Sequence, residues 1–329
     1  MKAFAFLAGL ISVATCLTTP PSGALVVSKT PQSGQYATVQ EAVDALSTTS
    51  IKAHVIFIQP GTYNEQVYIQ SLSGPLSVYG YSSSDKSYTG NQVTITAGES
   101  QQTQPSNDRT ATLRVHTTNF KLYNVNVVNS FGQGSQAVAV SANNGQQGYY
   151  GVALKGYQDT LLANDGAQLY AKSYIDGATD FIFGQRGQVW FEKCDLRVKA
   201  ASLGYITASG RSSNDAGYYV INNSTVAAAS GNTVPVGAYY LGRPWRNYAR
   251  VIFQRTSMTN VINPAGWRIW NTGDERTDQV TFGEYANTGA GSQGTRASFS
   301  TKLSSPISIS TVLGSGYASA SWVDTAYLN

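Results

Sequence analysis

Cysteine, histidine, methionine and charge are all scarce in this chain. Its 329 residues include 2 Cys, 2 His and 2 Met, and only 12% are Asp, Glu, Lys or Arg. An average soluble protein carries ~25% charged residues. So thin a charge excludes a nucleic-acid binder built on dense Lys/Arg patches, and equally a charged disordered chain. His54 and His116 stand far apart and cannot form a His/Cys cage for zinc with so little cysteine. They also leave little room for a Ser-His-Asp triad, and no Gly-x-Ser-x-Gly elbow is present. Any catalysis therefore rests on carboxylates, amides and arginines. A long apolar run is missing too, since no segment reaches the ~20 residues of a membrane span.

The first residues read as a secretory signal over 1–17. Lys2 precedes a largely apolar run from Ala3 to Ala14, and Ser12/Ala14 or Ala14/Cys16 mark a cleavage site. A soluble, secreted protein of residues 18–329 is expected. Cleavage takes Lys2 and Cys16, lowers the net charge of +4 by one, and leaves Cys194 as the single thiol. A disulfide framework is then impossible within the mature chain. Alternation through Val189-Trp-Phe-Glu-Lys-Cys-Asp-Leu196 points Cys194 inward, as a buried and inert thiol. Asn222 and Asn223 begin overlapping Asn-x-Ser/Thr sequons, so one of them is expected to carry a glycan.

What is abundant favours strands and turns: 32 Gly, 21 Tyr, and many Ser, Thr, Asn and Gln. One helix is clear near the start. Thr38-Val-Gln-Glu41 is a capping box, followed by Val39, Ala42, Val43 and Leu46 at helical spacing. Beyond it a weak repeat recurs, apolar at a first position and again at +2, +5 and +7. It fits Phe120/Leu122/Val125/Val127, and returns at Val189, Tyr219 and Val251, intervals of 69, 30 and 32 residues. The first interval is three times 23, a length suited to one coil of a parallel β-helix. An antiparallel sandwich is the competing architecture, but two-residue hairpin turns are scarce. The helix then caps the first coil, whose open end would expose core and strand edges. No linker divides the chain, so one domain is expected. The tail from Ser292 retains Val312, Leu313, Tyr317 and Trp322 and is expected to pack along the outside.

Two glycine patterns, Gly289-Ala-Gly-Ser-Gln-Gly294 and Gly132-Gln-Gly-Ser-Gln-Ala137, mimic a dinucleotide fingerprint. Neither opens a helix after a strand, so both read as turns. Two carboxylates stand out instead. Asp159, in Gly156-Tyr-Gln-Asp-Thr-Leu161, and Asp180, in Asp180-Phe-Ile-Phe-Gly184, lie 21 residues apart, about one coil. Gln136 lies 23 residues before Asp159. Positions one coil apart stack ~4.8 Å from each other. Carboxylates that close cannot both ionise freely: one becomes a proton donor, and its partner stays ionised and can act as nucleophile. Spacing alone does not say which is which. Gln136 and Gln158 offer N–H donors to an oxyanion. In Leu241-Gly-Arg-Pro-Trp-Arg246, Pro244 stiffens the chain between Arg243, able to fork onto a carboxylate, and Trp245, able to stack on a sugar. Tyr157, Phe183 and Trp267 are further aromatic candidates. Taken singly, each of these residues is more often a turn or packing residue; their shared register favours function. Strict strand alternation separates Phe183 from Asp180, and Gln158 from Asp159, so local bends are required.

Gly61-Thr-Tyr-Asn-Glu65, Gln136-Ala-Val-Ala, Gly156-Tyr-Gln-Asp-Thr-Leu, Asp180-Phe-Ile-Phe-Gly and Leu241-Gly-Arg-Pro-Trp occur in order. Together they resemble the signature set of pectin methylesterases, from about residue 27 to the Trp322 region. The resemblance implies an all-β, single-domain right-handed parallel β-helix, with Asp180 as nucleophile toward a galacturonate C6 methyl ester. It further implies Asp159 as acid/base, Gln136 and Gln158 as the oxyanion-hole amides, Arg243 as the group orienting Asp180, and Trp245 as a substrate contact. Phe183 and Trp267 carry over less securely. Leu162 replaces an aromatic that many plant members have three residues after the acid/base Asp. The chain looks like the short secreted microbial form, a monomer acting on pectin (homogalacturonan), with no cofactor, metal, nucleic acid or membrane partner. A pectin lyase, a polygalacturonase and a non-catalytic carbohydrate-binding solenoid are the competing readings. A lyase would want a Ca²⁺-binding carboxylate cluster, and an inverting hydrolase two carboxylates with room for a water.

Overall fold

Six coils of this chain turn where one residue takes a left-handed backbone conformation. A computed structural model describes residues 17–329; residues 1–16, most of the expected signal segment, lie outside it. Asn124, Lys172, Lys193, Asn223 and Arg255 have φ of 54°, 50°, 53°, 49° and 50°, each between two strands, and Gly151 does the same at 58°. A left-handed residue resets strand alternation, so successive inward side chains fall three apart there instead of two. This is the origin of the +2, +5, +7 repeat: Phe120, Leu122, Val125 and Val127 are all buried, as are Val189, Phe191, Cys194 and Leu196.

The coils stack into a single-domain parallel β-helix, with one sheet of 17 strands and another of 8 among the described residues. The site is carried by β1 (Val140–Asn143), β2 (Leu161–Ala171), β3 (Ile182–Gly184), β4 (Gly204–Ser209) and β5 (Tyr239–Pro244). They pair in parallel in that order, Val140 with Leu161, Leu161 with Ile182, Ile182 with Thr207, and Thr207 with Gly242. Two coils of the 69-residue interval escaped the repeat because they begin with polar residues. Gln147 and Gln168 point inward and are fully buried. Gln147 donates to the carbonyls of Val115 and Thr117, and Gln168 to those of Ala142 and Asp165. Their amide oxygens accept from Tyr149 and Tyr170, whose rings stack at 4.6 Å in the core. A buried amide is tolerated because every group is matched.

The short helix α1 (Val39–Asp44) caps the first coil, with both reciprocal bonds of the Thr38/Glu41 capping box formed. Glu65 adds a further tie, accepting from the N–H groups of Val39 and Gln40. Val39, Ala42, Val43 and Leu46 all go into the core. Cys194 is buried in a column of small polar residues with Ser173, Ser224 and Thr256, and burial pushes its thiol up to about 12. Residues 307–328 strap the outside: Val312, Leu313, Trp322 and Tyr327 pack on Tyr123, Tyr150 and Trp190, and Tyr150 donates to the Trp322 carbonyl.

Candidate active site

Asp159 and Asp180 each stand two residues before a strand, on adjacent coils. Leu161 pairs with Ile182, Gln158 bridges to Thr179, and the Asp159 N–H donates to the Thr179 carbonyl. The 21-residue spacing therefore stacks the two acids one rung apart, about 4.8 Å along the helix axis. Both adopt left-handed φ, 64° and 49°. That conformation costs a non-glycine residue roughly 1–2 kcal/mol, and such strain concentrates at functional sites. The required bends are here. Asp159 leaves strand geometry, which frees it from alternation with Gln158. After each Asp, two consecutive residues turn inward, Thr160–Leu161 and Phe181–Ile182, and all four are fully buried. The phase then resets, and Phe183 joins a cluster separate from the core that holds Phe181 and Ile182.

The two acids are almost sealed, 6% and 7% exposed. Burial pushes the Asp159 carboxyl well above the ordinary range, and the charge of Asp180 pushes it further; Arg243 opposes both. Burial raises Asp180 too, but Arg243 restrains the rise. Its Nε–H donates to Oδ1 at 2.9 Å and its Nη2 to Oδ2 at 2.6 Å. Asp180 thus loses its proton before Asp159 does. The guanidinium carbon itself lies over two rings, 4.1 Å from the centroid of Tyr205 and 4.3 Å from that of Trp270.

The glutamines sit beside the pair. The Ala137 N–H donates to the Gln158 carbonyl, which sets Gln136–Ala137 against Gln158–Asp159. The register corrects one detail of the spacing argument: by that hydrogen bond Ala137, and not Gln136, stands against Asp159. Both glutamine side chains are half-buried. Among the described residues, neither amide nitrogen has a hydrogen-bond acceptor in the protein, so both N–H groups are available.

The aromatic candidates divide. Trp245 is half-buried and 6.1 Å from Phe183, in an outer apolar patch with Leu162 and Ala208. Leu162, where an aromatic was missing, is part of that patch. Trp267 does not belong to the site. It is 1% exposed and stacks at 4.4 Å on Phe282 inside the core, so a sugar cannot reach it. Tyr157 is half-buried, packs against the core and donates its hydroxyl to the Ala200 carbonyl. Trp270, Tyr205 and Arg276 were missed. Trp270 lies three residues after Trp267 in Trp-Arg-Ile-Trp, and nothing in that run distinguishes the outer ring from the inner one.

Comparisons with known proteins bear on the family and the fold. The family model described as Pectinesterase matches residues 24–305. The chain is 53% identical over 320 residues to a pectinesterase of Aspergillus aculeatus, covering 96% of each chain. A crystal structure of the pectin methylesterase from Aspergillus niger in deglycosylated form superposes with a TM-score of 0.88 at 40% identity, covering 95% of this chain and all of that one. A pectin methylesterase solved in complex with a hexasaccharide matches with a TM-score of 0.73 at 26% identity, over 88% of this chain and 97% of that one.

Proposed function

The chain belongs to the pectinesterase family, and from that premise we propose that Asp180 is its nucleophile and Asp159 its acid/base. The enzyme hydrolyses methyl esters of pectin, releasing methanol and leaving free carboxylates. The ionised Asp180 attacks the C6 carbonyl carbon of a methyl galacturonate, and the carbonyl oxygen takes the charge. Gln136 and Gln158 donate N–H bonds to that oxyanion. Collapse breaks the bond to the methoxy oxygen, which takes the proton of Asp159 and leaves as methanol. An anhydride now joins Asp180 to the sugar. Asp159, ionised, draws a proton from water as the water oxygen attacks the same C6 carbon. Asp180 departs as carboxylate, the sugar acid is free, and Asp159 again holds its proton.

One observation carries these roles: Arg243 forks onto Asp180 and not onto the sealed Asp159. Trp245, half-buried and backed by the buried Phe183, forms the apolar floor for the substrate. The test of the reaction is stoichiometry: one methanol per new carboxylate, with chain length unchanged. Unsaturated ends or shortened chains would mean a lyase or a hydrolase instead, and pectin binding without methanol a non-catalytic solenoid. Gln158→Leu is expected to lower kcat roughly 10²–10³-fold, the range for an oxyanion donor.

We further read the protein as secreted, with residues 18–329 as its working domain. Leu17 exchanges two backbone bonds with Ser82, so a cut after Cys16, the Ala14/Cys16 option, leaves a docked strand end. Of the two sequons, the acceptor is Asn223. Both amides donate to Glu192, but Asn222 is 4% exposed and also accepts from Gln254, whereas Asn223 is exposed at a turn. A glycan mass lost in Asn223→Gln and kept in Asn222→Gln is the expected result. The large apolar side chains most exposed, Ile51, Leu203, Val236 and Tyr68, are dispersed along the chain, in keeping with a monomer; light scattering checks it.

A further inference from the structure

Arg243 is held by more than its carboxylate. The Tyr205 ring lies 4.1 Å away, and Tyr240 stacks on that ring at 5.9 Å. The Trp270 ring also lies 4.3 Å away, and the guanidinium of Arg276 lies over that same ring at 4.8 Å. Arg276 is itself fixed. It forks onto Asp274 and donates Nη1 to the carbonyl of Trp245 at 2.5 Å. A tight turn, with Asn271 and Asp274 bridged and the Trp270 N–H donating to the Glu275 carbonyl, presents Trp270 and Arg276 together.

We propose that this cation–aromatic column positions the active site, with Trp270 and Arg276 locking the Arg243-Pro244-Trp245 segment so that the Arg243 fork meets Asp180. The inference rests on the roles given above to Asp180 and Arg243. Arginine has four rotatable side-chain bonds and would leave a half-open site readily; contact with two rings restricts the guanidinium. The same turn ties down the backbone of Trp245, so one element holds both the nucleophile's partner and the apolar floor. Trp270 and Arg276 are positioning residues and need not touch substrate.

The test is Trp270→Ala beside Trp270→Phe, with pH profiles of methanol release. Groups facing Asp180 are Asp159 on the neighbouring coil, Arg243 and Tyr205. When Arg243 loosens, the Asp180 carboxylate loses its counter-charge, and the acid limb of kcat/KM moves to higher pH. Trp270→Ala is expected to lower kcat roughly five- to thirtyfold, the range for a desolvated cation–ring contact, with KM nearly unchanged. Trp270→Phe should restore most of kcat and return the limb. An unmoved limb in folded Trp270→Ala would overturn the proposal, and so would a rise confined to KM, which would make Trp270 a substrate contact. Asp180→Asn serves as the control. If that variant remains active, the assignment of the nucleophile fails, whatever Trp270 does.

Discussion

Replacing Arg243 with methionine keeps much of the side chain's length and removes its charge. The pair it breaks is well shielded, with side-chain exposures of 17% for Arg243 and 9% for Asp180. Losing an adjacent opposite charge raises a carboxylate pKa by roughly 1–3 units, or ~1.4–4 kcal/mol. Breaking a buried pair on one side costs about 3–5 kcal/mol by mutational precedent, which overlaps that range. The sign in stability follows from burial. Asp180 already titrates above its ordinary value of 3.8 in the folded chain. Its protonated form therefore favours folding at low pH, and that benefit is lost as pH rises through the folded pKa. Without Arg243 the folded value climbs further and the loss grows. The difference in Tm between wild type and Arg243→Met should be small near pH 3.5 and widen toward neutrality. In methanol release, the acid limb of kcat/KM should move up by about 1–3 pH units. A constant Tm gap at all pH values together with an unmoved limb would refute the reasoning, since packing alone would then explain the variant.

Three further outcomes are expected. Asp159→Asn cannot protonate methoxide or deprotonate water, and kcat should fall roughly 10²–10⁴-fold with little change in Tm. A Cβ at Gly210 would lie 2.4 Å from Cε3 of Trp245; Gly210→Ala should push that ring off the apolar patch and raise KM more than it lowers kcat, as steady-state kinetics on esterified pectin would record. Gln168→Leu strands the Ala142 and Asp165 carbonyls and the Tyr170 hydroxyl in the core, so thermal unfolding should show a loss of roughly 2–4 kcal/mol with activity per folded molecule unchanged.

Much of the coil was legible because the left-handed turn leaves a trace in apolar spacing. Val189, Phe191, Cys194 and Leu196 keep that pattern where their coil is lined by apolar side chains. The trace fails at Gln147 and Gln168, where inward positions are filled by amides that bond the backbone; periodicity sees a polar residue and assigns it outward. The Asp159–Asp180 pair was legible from its 21-residue spacing because both acids sit on consecutive coils of equal length. Gln136 was displaced by one residue in the register. Arg243 was found as a fork for a carboxylate, but its ring partners were not, since Tyr205 and Trp270 come from coils of 25 residues or more and share no common spacing with it. Trp267 and Trp270 differ only in which way the chain turns after Gly266, so choosing the buried ring was an error that only three dimensions correct.

Methanol release from highly esterified pectin, with wild type and folded Asp180→Asn measured side by side, tests the central claim most directly. EDTA is present throughout, and circular dichroism verifies the fold of the variant. Release by wild type with near-total loss in Asp180→Asn is the predicted result. Equal release from both proteins would contradict it and move the nucleophile away from Asp180.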